Sequence, residues 1–254
     1  MRLLLLADVH ANWEALLALQ RAEPRPDAVL FAGDAVGYGP DPDPCARWLL
    51  ANTIAVQGNH DAAVCGEAPG GPPGVPAELA EAALETGLAA RRLLSPVDRA
   101  GLGRWPHSAE VALGGAGFYL VHGTPADPLG GWLDPATCPE SELEVLFGGL
   151  AADVVVLGHT HLPALRRFGR RLIINPGSLG QPRCGLPDAT YAVWQDGQVQ
   201  IKHLHYDHEA AVRRLRLSSL SPEVLGQLAA TLATGLVGPG SLDSGGRAEL
   251  EAVA

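Results

Sequence analysis

Short apolar segments recur along the chain, and each ends abruptly at polar residues beside a glycine or a histidine. Six segments follow this pattern, and they are residues 3–7 before Asp8, 28–32 before Asp34, 54–56 before Asn59, 118–121 before His122, 154–157 before His159, and 171–174 before Asn175. Uninterrupted apolar runs of this length, bounded by turn residues, are typical of strands buried on both faces. The pattern therefore predicts six buried strands.

Helical stretches separate the first of these strands. Residues 12–22 carry three leucines, and residues 44–51 carry Trp48 followed by two leucines. This alternation of strand and helix predicts βαβ units with parallel strands. Ligand sites in open α/β sheets lie at the carboxyl ends of the strands. All six segments end in polar residues at that position, so we expect these residues to gather there.

The pattern changes after residue 65, first to a loop and a helix and then, from about residue 110, to short strands that follow one another. A Gly- and Pro-rich loop is expected over residues 66–76 and a helix over residues 77–94. Turns at Gly114-Gly115 and Asp196-Gly197 are typical of hairpins. Further strands are expected over residues 110–113, 117–121, 162–168, 171–174, 190–194 and 199–205, and two closing helices over 209–217 and 222–234. We expect one domain over residues 1–234 and a loosely packed tail over residues 235–254.

Charge and apolar content restrict the partners of the protein. The 254 residues include 18 basic and 28 acidic side chains, and the net charge of −10 argues against a large nucleic-acid interface. A small phosphate ester held through metal ions is still allowed, because local charge overrides global charge. No apolar run approaches the roughly 18 residues of a membrane span, and Asp8 follows the first one too soon for a signal peptide. We expect a cytoplasmic protein without a membrane partner, and no pattern indicates an oligomeric state.

The four cysteines add no chemistry of their own. They are far apart, none forms a C-x-x-C pair, and they are Cys45, Cys65, Cys138 and Cys184. A zinc site built from cysteines needs local pairs, which this spacing lacks. Free thiols in a reducing compartment are therefore expected.

The polar residues at the strand ends have the composition of a metal centre. Asp-x-His and His-x-His pairs point to one side of an extended backbone, so each pair is expected to reach a single point. Taken singly, each residue has an ordinary explanation, such as Asp8 capping the first helix. Taken together, two aspartates, an asparagine and four histidines exceed what one metal uses. Two metals sharing a bridging carboxylate would use all seven of them.

At these residues the chain resembles the calcineurin-like metallophosphoesterase superfamily. The five blocks that carry the resemblance stand in order, and they are Asp8-Val9-His10, Gly33-Asp34, Gly58-Asn59-His60-Asp61, His122 and Gly158-His159-Thr160-His161. Asn175-Pro176-Gly177-Ser178 with Pro182-Arg183 extends the likeness to the small bacterial and archaeal phosphodiesterase branch. The resemblance implies an α/β fold, a four-layer α/β/β/α sandwich of two mixed sheets.

The resemblance also implies a role for each site residue. Ligands of the first metal would be Asp8, His10 and His161. Ligands of the second metal would be Asn59, His122 and His159. Asp34 would bridge the two metals, and His60 would sit over the substrate as a general acid or charge stabiliser. Imidazole and carboxylate ligands favour two divalent ions of Mn, Fe, Ni, Co or Zn, with Mn preferred.

The implied reaction is hydrolysis of a small phosphate ester by a hydroxide that bridges the two metals. Arg183 is a candidate phosphate clamp, since a guanidinium matches phosphate geometry, or else a surface residue. Residues 37–44 follow the Gly-Asp block, so Tyr38 is expected near the metals as a substrate contact. Trp132 follows His122 on a loop, where it would stack on a base or aryl group or pack the loop down.

Departures from other branches of the superfamily narrow the substrate. Protein phosphatases and symmetrical dinucleoside tetraphosphatases carry an arginine shortly after the Gly-Asp block, and none follows Asp34 here. The acidic partner expected there for His60 is also missing, and Asp61 is a possible substitute. These departures favour nucleotide-like phosphodiesters, with a phosphomonoesterase or phosphoprotein phosphatase as the alternative. A non-catalytic scaffold resembling the retromer subunit of this fold is less favoured, because every ligand position is filled.

Overall fold

Two sheets form the centre of the protein in this computed structural model, which describes residues 1–66 and 71–238. Within those residues the strands are β1 (Arg2–Leu6), β2 (Ala28–Phe31), β3 (Ile54–Ala55), β4 (Ser108–Leu113), β5 (Ala116–Val121), β6 (Val154–Val156), β7 (Pro163–Phe168), β8 (Arg171–Pro176), β9 (Ala189–Gln195) and β10 (Gln198–Leu204). One sheet has the order β10-β9-β1-β2-β3 and the other the order β4-β5-β6-β8-β7. Both sheets are mixed, because β1-β2-β3 and β5-β6-β8 are parallel and the other pairs are antiparallel.

Helices cover the outer faces of the sheets. They are α1 (Trp13–Ala22), α2 (Pro42–Asn52), α3 (Asn59–Cys65), α4 (Ala80–Leu93), α5 (Pro96–Leu102), α6 (Glu140–Phe147), α7 (His208–Leu215) and α8 (Pro222–Thr234), and a 3₁₀ turn at Ala77–Leu79 precedes α4. Within residues 1–66 and 71–238, no helix combines the length and apolar character needed to cross a bilayer.

The leucines of β1 explain the layers. Side chains alternate across a strand, so Leu3 and Leu5 face one side and Leu4 and Leu6 the other. Leu3 and Leu5 lie in the apolar core between the two sheets, together with Phe118 of β5. Leu4 and Leu6 lie in a separate core under the helices packed on the first sheet. A third core joins the second sheet to α6. The predicted α/β/β/α sandwich is confirmed.

Several element boundaries differ from the sequence prediction. α3, α5 and α6 were not predicted, because helices of seven and eight residues repeat their apolar period too few times to stand out. The first helix is capped by Asn12, whose side chain accepts from the Ala15 backbone N–H at 3.1 Å. The alternative role of Asp8 as its cap is therefore wrong. The four cysteines are free thiols, as predicted.

The chain end meets the fold near α8. Gly235 ends this helix in a left-handed conformation, and its carbonyl accepts a hydrogen bond from Gly185 N–H at 2.9 Å. Val237 packs against the core under the helices. Of the tail predicted over residues 235–254, residues 239–254 lie outside the described part of the chain. The domain limits themselves stay a prediction.

Candidate metal centre and active site

The polar residues that follow the strands meet at the adjacent carboxyl edges of the two sheets. Asp8 follows β1, Asp34 follows β2, and His122 follows β5. All eight are buried, with at most 5% of any one exposed, and they are Asp8, His10, Asp34, Asn59, His60, His122, His159 and His161. Burying so many ionisable groups is costly unless they pair with one another or hold a cation. Such clusters are typical of functional sites.

The backbone at these residues is turned, not extended. Left-handed φ angles of 55°, 45°, 63°, 71° and 62° occur at Asp8, His10, Asp34, His159 and His161. The expectation that Asp-x-His and His-x-His lie on extended backbone is wrong, because β1 and β6 end before these pairs begin. Non-glycine residues rarely adopt this conformation, and such strain concentrates at functional sites. Hydrogen bonds between neighbouring turns hold it, as from His10 N–H to the Asp34 carbonyl at 3.0 Å.

One set of ligand atoms comes from Asp8, His10 and His161. His10 Nδ1 donates to the Val36 carbonyl at 3.1 Å, and His161 Nδ1 donates to the Gln181 carbonyl at 2.6 Å. Burial lowers the pKa of both rings, to about 4 for His10, so both are neutral and present their Nε2 lone pairs inward. The two Nε2 atoms are 3.0 Å apart. Asp8 Oδ1 lies 3.4 Å from one and 3.7 Å from the other.

A second set comes from Asn59, His122 and His159. His122 Nδ1 donates to the Ala32 carbonyl at 2.8 Å, which turns Nε2 inward to 3.0 Å from Asn59 Oδ1 and 3.3 Å from His159 Nδ1. The Asn59 amide has a defined orientation, because Nδ2 donates to the Pro73 carbonyl at 2.6 Å. Burial lowers the pKa of His159 to about 3, so its ring is neutral. The polar atoms of this set therefore also converge on a common point.

Asp34 lies between the two sets. Its Oδ2 is 3.6 Å from His10 Nε2 and 3.3 Å from His122 Nε2, while Oδ1 accepts from the His60 backbone N–H at 2.9 Å. Burial opposes ionisation of Asp34, but the positive charge of His122 and its hydrogen bond lower the Asp34 pKa below the ordinary range. A single ionised oxygen atom therefore faces both sets, as a bridging ligand requires.

The chemistry of the donor set fits a pair of cations. Lone pairs and carboxylate oxygens converge at separations of 3.0 to 3.7 Å. Two ligands of one cation, each at about 2.1 Å, lie roughly 3.0 to 3.4 Å apart. Burial disfavours a charged His122 ring, yet the Asp34 carboxylate outweighs this and raises its pKa to about 9. This point of the site therefore attracts positive charge strongly.

His60 stands next to both sets at the start of α3. Its ring lies 4.9 Å from the ring of His10 and 4.5 Å from that of Tyr38, centroid to centroid. One of its nitrogens also falls within 4.8 Å of ligand atoms of His10 and Asp34. Geometry alone thus allows His60 both the role over the substrate and a role as a ligand.

Asp61 does not serve His60, so the suggested substitution is wrong. Its carboxylate accepts from the backbone N–H groups of Asp34, Ala35 and Val36 at 2.9, 2.9 and 3.2 Å, and from that of Gly58 at 3.1 Å. Burial and the charge of Asp34 raise the pKa of Asp61 to about 7. Asp61 therefore fixes the strained turn that carries Asp34. The sequence indicated its importance but not this role.

The three candidate substrate contacts all lie at the edge of the centre. The guanidinium carbon of Arg183 is 5.6 Å from the centre of the Tyr38 ring, and Tyr38 also packs 4.8 Å from the His10 ring. Trp132 packs 5.5 Å from the His159 ring and keeps 49% of its surface exposed. Trp132 thus packs against His159 and keeps about half of its surface open to solvent, so both alternatives for its role stay predictions.

A segment that was predicted only as loop also reaches the centre. Residues 71–76, called the strap below, cross the site between α3 and α4. The Pro73 carbonyl of the strap binds Asn59, as described above. Gly74 has a φ of 72°, and a Cβ there would lie 2.7 Å from His159 Nε2 and 2.7 Å from the Gly130 carbonyl. The strap and the loop of Gly130 therefore meet directly over the second ligand set.

Asn175 and Ser178 form hydrogen bonds to the backbone turns that carry the site residues. Asn175 Nδ2 donates to the Gly158 carbonyl at 2.8 Å and to Thr160 Oγ1 at 3.0 Å, which holds the His-x-His turn. Ser178 Oγ donates to the Asp8 carbonyl at 2.7 Å. The sequence marked this segment through the resemblance but assigned it no role, because its partners lie up to 170 residues away.

Comparison with known proteins identifies a matching family and relatives that cover most of the chain. The family model described as "Calcineurin-like phosphoesterase superfamily domain" matches residues 1–196. The crystal structure of a metallophosphoesterase from Sphaerobacter thermophilus is 27% identical, covers 91% of this chain and 99% of its own, and superposes with a TM-score of 0.75.

Two archaeal proteins are also similar over most of their length. An uncharacterized protein of Methanocaldococcus jannaschii is 27% identical over 246 residues, which cover 87% of this chain and 94% of that protein. A hypothetical protein of Pyrococcus horikoshii is 21% identical and covers 92% of this chain and 98% of its own, with a TM-score of 0.76. The second likeness concerns the fold alone.

Proposed function

This chain belongs to the calcineurin-like phosphoesterase superfamily and is a hydrolase acting on phosphoric ester bonds, and from that premise we propose that it is a dinuclear-metal phosphodiesterase. The observation that carries the proposal is the position of Asp34 Oδ2 between two converging sets of polar side chains. The proposed ligands are Asp8, His10 and His161 for one cation and Asn59, His122 and His159 for the other. Asp34 is the shared ligand.

The donor set favours divalent transition metals, with manganese preferred. Neutral imidazoles and carboxylates suit these ions better than Mg or Ca, which prefer oxygen ligands alone. When bound, two such cations activate a water and neutralise charge on phosphoryl oxygens. Hydrogen bonds from Nδ1 of His10, His122 and His161 to backbone carbonyls orient each ring with its Nε2 atom inward. His10 and His161 are neutral, whereas His122 would release its Nε2 proton when a cation binds.

His60 is the proposed group over the substrate. Burial lowers its pKa to about 3 despite the opposing effect of Asp34, so the ring is neutral before substrate arrives. A phosphate anion beside the ring would favour its protonated form. His60 then either donates a proton to the leaving oxygen or a hydrogen bond to a phosphoryl oxygen. These two roles differ in their dependence on the leaving group.

Small nucleotide-like diesters are the proposed substrates. No arginine occurs in residues 35–40, directly after Asp34, and a monoester dianion needs such an additional cation more than a diester monoanion does. Trp132 offers a half-exposed ring beside His159 on which a base or aryl group can stack. The nearness of Arg183 supports a second candidate, a phosphomonoesterase, and makes the expected preference for diesters moderate.

Metal analysis combined with a substrate panel tests the proposal. Protein loaded with manganese is assayed on bis-p-nitrophenyl phosphate, p-nitrophenyl phosphate and a phosphopeptide, and its metal content is measured in parallel. We expect two metals per chain and the highest kcat/KM on the diester. A clear preference for the phosphopeptide would contradict the proposed substrate class. One metal per chain in an active enzyme would contradict the dinuclear centre.

A further inference from the structure

Tyr38 is held in a strained conformation beside the metal centre. Its φ is 55°, which is rare for an aromatic residue. The Tyr38 backbone N–H donates to Oγ1 of Thr86 in α4 at 2.9 Å, and Thr86 Oγ1 in turn donates to the Ala82 carbonyl at 2.6 Å. At the neighbouring Gly37 a Cβ would overlap the His60 ring. The loop is thus pressed against the site, and a tyrosine needed only for packing would not require this strain.

Among the described residues, no group forms a hydrogen bond of good geometry with the Tyr38 hydroxyl. Burial raises the pKa of Tyr38 to about 12, and the neighbouring Arg183 guanidinium opposes that rise. Only 2% of the residue is exposed, and its Oη is fully buried without a hydrogen bond. Two other buried tyrosines behave differently, since Tyr191 Oη donates to Glu23 and Tyr206 Oη accepts from Asn12. Buried polar atoms are satisfied in the great majority of cases, so an exception next to a reactive centre points to a ligand.

Arg183, which is positively charged, also has a buried polar atom without a hydrogen-bond partner. Its Nε is also buried without a partner, and one of its terminal nitrogens donates to Gln181 Oε1 at 2.8 Å. Across residues 1–66 and 71–238 its guanidinium takes part in no salt bridge. Burial lowers the pKa values of His60 and His161, and the nearby Arg183 charge lowers them further.

A cation beside a site built for two more cations is repelled unless an anion lies among them. We propose that Tyr38 Oη and the Arg183 guanidinium form one anion-binding pair, which holds non-bridging oxygens of the phosphoryl group during hydrolysis. Tyr38 is then a catalytic residue that donates a neutral hydrogen bond, and Arg183 supplies the charge that is absent after the Gly-Asp block. The inference rests on the proposed function, because it uses the same reaction centre.

Phosphate binding tests the pair without turnover. Inorganic phosphate is titrated calorimetrically into manganese-loaded wild type, Tyr38→Phe, Arg183→Gln and the double variant. Hydrogen bonds to charged groups of this kind contribute about 10- to 100-fold in affinity. We expect each single variant to weaken phosphate binding within that range while retaining its metals. Because the pair acts together, the double variant should lose less than the product of the single losses.

A stability measurement separates this role from a structural one. Tyr38→Phe removes a buried hydroxyl without a partner, so the melting temperature of the metal-free protein should stay equal or rise. The matched control Tyr191→Phe removes a hydroxyl bonded to Glu23, so it should lower the melting temperature and leave phosphate affinity unchanged. A lower melting temperature for Tyr38→Phe would overturn the inference.

The failure of this inference is distinct from failure of the proposed function. If wild type binds phosphate and hydrolyses diesters while both single variants do so equally well, the anion pair is wrong and the phosphodiesterase stands. If metal-loaded wild type neither binds phosphate nor hydrolyses any ester in the panel, both are wrong.

Discussion

Replacing Asp34 by asparagine tests the centre at the one residue that both ligand sets share. Asn keeps the shape of the side chain, and its oxygen can still accept the hydrogen bond from His60 N–H that Oδ1 accepts at 2.9 Å. The amide nitrogen then occupies the position of Oδ2, near Nε2 of His10 and His122. A charged acceptor is thereby exchanged for a neutral donor at the point where the acceptors converge.

The size of the effect follows from the two contacts. Loss of even an outer partner of a ligand costs about 10- to 100-fold in metal affinity, so loss of a direct ligand should cost at least that at each site. A metal at 100 times its dissociation constant stabilises the folded state by about 2.7 kcal/mol. Two such sites give about 5 kcal/mol, which corresponds to roughly 10 to 20 °C in a domain of this size. Asp34→Asn should remove most of this shift.

Thermal unfolding with and without manganese, metal content and diester turnover are measured on the same preparations. We expect wild type to gain its melting shift on metal addition, Asp34→Asn to gain little and to lose activity, and Asp8→Asn to lose mainly one metal. Circular dichroism of the metal-free variants controls for folding. If Asp34→Asn retained two metals per chain, the full melting shift and full activity, the bridging role would be refuted.

Three further predictions address the groups around the centre. His60→Ala should retain two metals and lose about 10² to 10⁴-fold in turnover, more with poor leaving groups if it donates a proton; loss of metal would instead make it a ligand. Gly74→Ala should displace the strap, because a Cβ there lies 2.7 Å from both His159 Nε2 and the Gly130 carbonyl, and should lower activity and metal content where Gly71→Ala, in open space, does not. The metal-free protein should lose unfolding free energy in urea as the pH falls from 6.5 towards 4. Burial holds the pKa values of His10, His60 and His159 at about 4, 3 and 3, so the unfolded chain takes up protons that the folded chain does not. Burial raises the pKa values of Asp8 and Asp61 to about 8 and about 7, and these two carboxyls oppose the loss only in part. An unfolding free energy that stays constant over this range would contradict the prediction.

Periodicity predicted the parts of the fold that depend on burial alone. β1 was predictable because four consecutive leucines have to be covered on both faces, and that requires the second sheet and the helices. α6 was missed because its buried positions, Leu143 and Phe147, form a single i, i+4 pair. A pair of this kind is below what a sequence pattern can distinguish from a loop.

The sequence predicted which residues belong to the site, but it did not predict their backbone conformation or the hydrogen bonds that hold it. Asp-x-His indicated ligands, yet nothing in the pair shows that both residues lie in left-handed turns. That conformation depends on long-range bonds, such as those from the turn at Asp34 to Asp61 and from Ser178 to the Asp8 carbonyl. These partners are distant in the sequence, so a local sequence pattern does not reveal them. For that reason Asp61 was matched with the adjacent His60.

Backbone strain and buried polar groups at the site explain why we expect bound metal to stabilise the folded protein. Left-handed conformations at non-glycine residues cost about 1–3 kcal/mol each, and five occur among the proposed ligands. The same residues bring several ionisable groups into the interior, where burial is costly. A cation in each ligand set would supply the partner that these buried groups lack. The turns that carry the proposed ligands therefore destabilise the metal-free fold, and bound metal would offset that cost. Metal affinity and the free energy of unfolding should consequently change together in every variant of these turns.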